Sequence, residues 1–316
     1  MRVLITDNCH DVLRQKLELS DFEVVVDSGI DYDSLLRVAD SFDALVVRSK
    51  IKIDRHFLDH CGDRLKCIGR LGAGMETIDV EYAEGKGIAC LNSPEGNRDA
   101  VGEHATALLL ALMDRVCLAD AEVRKGLWRR EGNRGVEVKG KTVGIIGFGN
   151  MGAAFAQRLQ GFECRIVAYD KYKSGYAPSY VEEVSLEELQ RVSDVVSLHV
   201  PLTSETRYMV DDAFVDQFQK TFYLLNTARG AVVKTSALAH SIRSGKILGA
   251  GIDVMEYENM AKDGLDIESV PEDLRYLLMS DRTVFTPHVG GWTIESKYKL
   301  AAVMADKIIT LLKKTR

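Results

Sequence analysis

Three polar signals follow apolar runs in the second half of the chain. The first is Arg229, in Asn226-Thr227-Ala228-Arg229-Gly230, directly after the run TFYLL. An arginine at the end of a buried strand must meet solvent, an ion pair or an anionic ligand, and its planar fork suits a carboxylate. The second is an acidic cluster, Asp253-Val254-Met255-Glu256-Tyr257-Glu258, after the Gly-rich run LGAGI. The third is His288, in Thr286-Pro287-His288-Val289-Gly290-Gly291, wedged between a proline and glycines where a core side chain is poorly placed. A carboxylate beside such a histidine raises its pKa and keeps it protonated as a proton donor. Taken singly, the arginine reads more readily as half of an ion pair than as a chemical residue, and the histidine as readily as a structural residue as a chemical one.

A fourth signal gives the set its meaning. Gly147-Phe148-Gly149-Asn150-Met151-Gly152 has the spacing GxGxxG, with an apolar strand pattern, TVGIIG, leading in and a helical one, AAFAQRLQG, leading out. Glycines there permit a tight turn and close backbone approach, so the helix N-terminus can hold a pyrophosphate. Asp170, at the tip of the next strand pattern, can accept hydrogen bonds from the adenosine ribose and repel a 2′-phosphate, which favours NAD over NADP. Lys171 beside it pulls the other way, since a cation accommodates a phosphate. A partial echo, Leu71-Gly72-Ala73-Gly74-Met75-Glu76-Thr77, lacks the third glycine and predicts no second dinucleotide site. Its exposed backbone N–H groups suit a small carboxylate. Arginine, acidic cluster and histidine in one domain with a dinucleotide loop read as a hydride-transfer site.

These residues need strand ends to stand on, and the chain supplies two series of them. VLIT (3–6), EVVV (23–26), ALVV (44–47), LKCIG (65–69) and IACLN (88–92) alternate with helical patterns at 11–19, 33–40, 54–60 and 78–85. A second series runs through KTVGIIGFGNMG (141–152), CRIVAYD (164–170), DVVSLHVPL (194–202), TFYLLN (221–226), ILGAGIDV (247–254) and TVFTPH (283–288). Alternation at that spacing predicts βαβ units and parallel sheets, with ligands outside the carboxyl ends of the strands. Between the series, Glu103 to Leu118 is apolar enough for one well-packed helix, and a polar, Gly-dotted stretch follows it. An amphipathic helix at about 294–313 carries Leu300, Val303, Met304, Ile308, Ile309 and Leu312 on one stripe. The expected class is α/β, with two doubly wound parallel-sheet domains.

Composition is consistent with that plan. At 316 residues the chain has the length of about two domains. Hydrophobic residues at 46% and charged residues at 28% exclude a disordered chain. A net charge of -6 speaks against a dedicated nucleic-acid binder. No apolar stretch reaches the ~18 to 20 residues of a membrane helix, and acidic residues come too early in MRVLITDNCHD for a secretory signal. Cys9, Cys61, Cys67, Cys90, Cys117 and Cys164 form no CxxC pair and read as free thiols in a reducing compartment. No metal site is expected.

GIIGFGNMG with YD, LHVPLTSETRYMV, LLNTARGAVV, GAGIDVMEYE and TPHVGGWTIES resemble, in order, the signatures of the D-isomer-specific 2-hydroxyacid dehydrogenases. RLGAGMETID and LNSPEGNRDAVGEH resemble that family's N-terminal half, so the resemblance covers nearly the whole chain. It implies a flavodoxin-like substrate domain, 1–98 with 290–316, and a Rossmann NAD-binding domain, 99–289. A helix and arm at about 103–140 would make a homodimer. Arg229 would bind the carboxylate of a 2-oxoacid and polarise its carbonyl, and His288 would be the acid/base. Glu258 would hydrogen-bond His288 and raise its pKa. Gly147, Gly149, Asn150, Met151 and Gly152 would lie under the pyrophosphate of NAD, and Asp170 on the ribose. His199, Val200, Thr206, Thr227, Ala228 and Gly290 would line the cofactor, with Asp253 at the nicotinamide carboxamide. Ala73 and Gly74 would offer N–H groups to the substrate carboxylate.

Two features depart from the family pattern: a charged insertion around Ala261 to Glu272, and Trp292 where small residues are common. VRSKIK and GRLGAG look most like phosphoglycerate dehydrogenase-type members, in which Arg48, Lys50 and Arg70 would bring positive charge to a phosphate. No room is left after Arg316 for the regulatory domain that many such enzymes carry. The expectation is therefore a cytoplasmic homodimer that acts on D-3-phosphoglycerate, or next on glyoxylate or hydroxypyruvate, and binds neither nucleic acid nor membrane. A rival from another class is a NAD-sensing corepressor that binds peptides and turns over poorly.

Overall fold

The computed structural model describes residues 1–261 and 264–314. The chain divides into two compact units, Met1–Arg98 with Trp292–Arg316, and Asp99–Gly291. The first carries a parallel sheet of β1 (Arg2–Ile5), β2 (Glu23–Val26), β3 (Ala44–Val47), β4 (Cys67–Arg70) and β5 (Ala89–Asn92) in the order β2-β1-β3-β4-β5. Strand order reverses between β1 and β3, and an open sheet takes its ligands at such a point. Asp7, just past β1, spans it by accepting the Arg48 N–H at 2.9 Å.

Successive residues of a strand face opposite sides, so this sheet has two cores. Leu4, Leu45, Val47 and Ile68 pack with Phe57 and Leu58 on one side. Val3, Ile5, Val46 and Cys67 pack with Met304, Ile308 and Leu312 of the helix Ile294–Lys314 on the other. The expected stripe of that helix is the face that is buried, although Val303 and Ile309 stay at its half-buried margin. Asp31, Asp54 and Asp79 begin three helices by accepting the amides of Ser34, Phe57 and Tyr82, the usual work of an N-cap aspartate.

The second unit carries β6 (Thr142–Ile146), β7 (Arg165–Tyr169), β8 (Glu182–Glu183), β9 (Val195–Leu198), β10 (Phe222–Asn226), β11 (Ile247–Ile252) and β12 (Thr283–Phe285). Their order is β12-β11-β10-β9-β6-β7-β8, again parallel throughout, and it reverses between β6 and β9. Both units are thus doubly wound α/β layers, as the strand spacing predicts.

The apolar segment from Glu103 is not a single helix. One helix runs Arg98–Met113, and a second runs Val116–Arg124. Arg115 between them is left-handed, at φ 56°, and the Met113 carbonyl turns to accept the Val136 N–H at 2.9 Å. The first helix buries Leu108, Leu109 and Leu112, whereas the second buries none of its residues.

No helix among the described residues is long and apolar enough to cross a membrane. The charged insertion lies partly outside the described residues, at 262–263, and its later part leads into the helix Glu272–Met279. His56 and His60 stand four apart on one helix with ring centroids 4.4 Å from each other. The described residues contain no group of three metal-ligating side chains.

Candidate active site

β6 ends in the glycine loop, at the point where strand order reverses. Gly147 has φ 91°, and a Cβ there would lie 2.7 Å from the His199 carbonyl oxygen. A Cβ at Gly152 would lie 2.2 Å from the Gly147 carbonyl oxygen, so only glycine lets the helix Asn150–Leu159 start this close to the strand. A Cβ at Gly149, the N-cap, would meet nothing within 4 Å, which leaves the backbone open beside the first N–H groups of the helix. Asp170 braces the loop: Oδ2 accepts the Phe148 N–H at 2.9 Å and Oδ1 the Tyr172 N–H at 3.0 Å. Each oxygen keeps a lone pair for a hydroxyl.

Across the reversal point, His199 and Val200 follow β9. The His199 ring packs on Phe155, with centroids 5.5 Å apart, and Nε2 lies 2.8 Å from Ser197 Oγ. Burial pushes its pKa down to about 3, so the ring is neutral at working pH. Its Nδ1, and the Oγ1 of Thr227 after β10, are buried without a hydrogen-bond partner among the described residues. Buried polar atoms are normally paired, and a polar cofactor against the glycine cradle would pair these two. Thr206 uses its hydroxyl within its own loop, donating to Pro201 O at 2.6 Å and accepting the Thr203 N–H at 2.8 Å.

Arg229, Glu258 and His288 follow β10, β11 and β12, three neighbouring strands. Buried Asn226 shapes the first of these turns, accepting the Ala228 N–H at 3.1 Å and donating to Arg229 O at 3.0 Å. Arg229 Nη1 donates to Ala228 O at 2.6 Å. Glu258 opens a single 3₁₀ turn, Glu258–Ala261, and its Oε2 lies 3.2 Å from His288 Nδ1. That bond raises the His288 pKa, against partial burial and the nearby Arg229 charge, which lower it. With Nδ1–H directed at Glu258, Nε2 is the nitrogen left to exchange a proton.

Two residues at this site were not legible as such in the sequence. His104, from the helix Arg98–Met113, places Nε2 2.9 Å from Thr286 Oγ1 and 3.3 Å from Asp253 Oδ1. Thr286 in turn donates to Asp253 Oδ1 at 2.6 Å. Asp253 also accepts the N–H groups of Val289 and Gly290, each at 2.9 Å. Burial alone would raise its pKa, but these donors outweigh burial and hold the carboxyl down at about 2. A Cβ on Gly290 would come within 2.9 Å of Asp253 Oδ2, so the glycine lets the loop close over the carboxylate. The acidic cluster therefore divides by task. Asp253 holds the histidine loop, Glu256 accepts the Tyr208 hydroxyl and the Thr235 N–H, and Glu258 faces His288.

In the first unit, the N–H groups of Ala73 and Gly74 make no hydrogen bond among the described residues, and Ala73 O accepts Asn92 Nδ2 at 2.8 Å. Arg48 leaves β3 with its guanidinium over the Trp292 ring, 4.5 Å from the centroid. Lys50 donates to the carbonyls of Ser28 and Ile30, at 3.1 and 2.8 Å, which ties down the loop after β2. Arg70 folds back on its own strand end, where Nη1 reaches Leu71 O at 3.4 Å.

Comparison with known proteins identifies the family. Residues 106–290 match the NAD-binding domain of the D-isomer specific 2-hydroxyacid dehydrogenases. The chain is 35% identical over 307 residues to a hydroxypyruvate reductase of Thermotoga maritima, covering 97% of both chains. It is 32% identical over 315 residues to a D-3-phosphoglycerate dehydrogenase of Archaeoglobus fulgidus, covering 99% of this chain but only 58% of that longer relative. In structure it resembles an Aquifex aeolicus D-lactate dehydrogenase solved with NAD and lactic acid, at a TM-score of 0.82 and 26% identity over 99% of this chain and 96% of the other. The glycine loop and Asp170 thus belong to a NAD-binding domain, and the chain as a whole belongs to the D-isomer-specific 2-hydroxyacid dehydrogenases.

Proposed function

We propose that the protein interconverts a D-2-hydroxyacid and its 2-oxoacid, using NAD. The observation that carries this reading is the pairing of His288 with Glu258 beside Arg229, on three neighbouring strand ends of the NAD-binding unit. Bound NAD supplies the hydride chemistry. Arg229 binds the substrate carboxylate with its planar fork and draws electron density from the carbonyl. His288, kept protonated by Glu258, gives its Nε2 proton to the carbonyl oxygen during reduction and takes it back during oxidation. Within the first unit, the N–H groups of Ala73 and Gly74 suit a carboxylate. In this reading the first unit is the substrate domain.

Arg48 supports a substrate with a second anionic group, because it stands where the first sheet reverses and its guanidinium has no ion pair among the described residues. That favours D-3-phosphoglycerate over an uncharged 3-substituent. Hydroxypyruvate is the second reading, supported by the relative whose full length this chain matches. The exposed helix Val116–Arg124 and the arm after it support a homodimer, and we place the enzyme in the cytoplasm. The test is oxidation of NADH, followed by its absorbance, with phosphohydroxypyruvate, hydroxypyruvate, glyoxylate and pyruvate. We expect turnover with at least one, highest for the phosphorylated acid. No turnover with any 2-oxoacid, alongside normal NADH binding, would instead favour a NAD-sensing binding protein.

A further inference from the structure

We propose that Glu205 is a second determinant of cofactor choice, holding the Lys171 ammonium away from the ribose 2′ position and so keeping the site selective for NAD. The proposal rests on the reading of Asp170 as the ribose carboxylate. Lys171 directly follows that residue, and a cation near the tip of this strand is what accommodates a 2′-phosphate. Here the ammonium is engaged elsewhere. Lys171 Nζ lies 2.7 Å from Glu205 Oε2, and the same oxygen accepts the Tyr172 hydroxyl at 2.5 Å. Both bonds hold the Glu205 carboxyl below its ordinary pKa, and the first holds Lys171 above its own. The next lysine is engaged as well, since Lys173 Nζ donates to Phe148 O at 3.0 Å.

Glu205 comes from the loop after β9, on the far side of β6 from the strand that ends in Asp170. The Lys171 ammonium is therefore paired with a carboxylate from the far side of the reversal point, and Asp170, Lys171 and Glu205 together keep a negative charge. A 2′-phosphate would meet that charge without a free cation to offset it. Lys171 and Glu205 are both about half exposed, at 56% and 52% of their side chains, so the lock is weak and sensitive to salt.

Titration calorimetry with NAD and NADP on the wild type, Glu205→Gln, Lys171→Met and the double variant tests the lock without any turnover. Glu205→Gln should shift the ratio of the two dissociation constants toward NADP by about two- to fivefold, the range of an exposed ion pair, and less at roughly 0.5 M salt. The gain should vanish in Lys171→Met/Glu205→Gln, because the released ammonium is its source. With unfolding temperatures unchanged, an unmoved ratio in Glu205→Gln, or a gain that survives the loss of Lys171, overturns the proposal. A wild type that binds NADP more tightly than NAD would overturn the reading of Asp170 instead.

Discussion

His288 holds a left-handed backbone, at φ 55°, and the surroundings of Asp253 account for it. The Asp253 carbonyl accepts the His288 N–H at 2.8 Å, while its carboxylate takes the two amides that follow. The strained turn is thereby fixed from below, and the ring is free to meet Glu258. Arg229 and His288 were legible as candidates, because their types are scarce at strand ends and each has a chemistry of its own, whereas Glu258 stood out from its acidic cluster only through the family resemblance. The contacts of His104 and Thr286 with Asp253 were not legible, since only the fold brings them to that carboxylate. A pH profile tests the pair. Glu258 raises the His288 pKa, so the protonated ring persists above the ordinary value of about 6.5 and is lost as pH rises through the raised one. Reduction should fall along that alkaline limb while oxidation rises. Glu258→Gln should move the limb to lower pH, since a neutral amide no longer favours imidazolium. His288→Ala should remove the limb and slow both directions by about 10²–10⁴. A limb that stays put in Glu258→Gln, with cofactor affinity intact, would mean that another group tunes the histidine.

At the scale of elements, the apolar runs located eleven of the twelve strands, because a parallel strand buried on both faces is apolar at nearly every position. β8 was missed: it is two exposed glutamates at the sheet edge, with no apolar signal to find. The break at Arg115 was missed for a related reason, since neither glycine nor proline marks it. The glycine loop was legible as spacing, but the separate duties of its glycines emerge only from their surroundings. Gly149→Ala adds a methyl to open space, so the protein should unfold at an unchanged temperature, yet bind NAD at least tenfold more weakly where the pyrophosphate must approach. Gly152→Ala would push a methyl into the Gly147 carbonyl. It should lower the unfolding temperature as well as the affinity, by about 1–3 kcal/mol of overpacking. Thermal unfolding and NAD titration of both variants separate the two. Equal loss of stability in both would show that the loop does not distinguish its glycines in this way.

At the scale of the whole molecule, the helix Val116–Arg124 lacks a reason to exist in a lone chain. It is nine residues long and buries none of them, and so short a helix is marginal in water without packing. It nevertheless exposes Val116 at 53% and Val123 at 52%, and the arm beyond it exposes Trp128 at 80%. The arm is held in place, because Asn133 Nδ2 donates to Glu122 Oε2 at 2.7 Å and the Leu127 N–H returns to Glu122 O at 3.0 Å. Ordered apolar patches of this kind are common at interfaces, and the homodimer proposed above would cover this one with the same patch of a second copy, related by a twofold axis. Burying one such tryptophan contributes about 2–3 kcal/mol per copy, enough to matter at micromolar concentration. Size-exclusion chromatography with light scattering should therefore find a dimer in the wild type. Val123→Asp/Trp128→Asp should give a monomer that still binds NAD, since neither residue touches the glycine loop or the histidine pair. Wild type running as a monomer across micromolar concentrations, or the double variant remaining a dimer, would place the interface elsewhere and leave this helix without a partner.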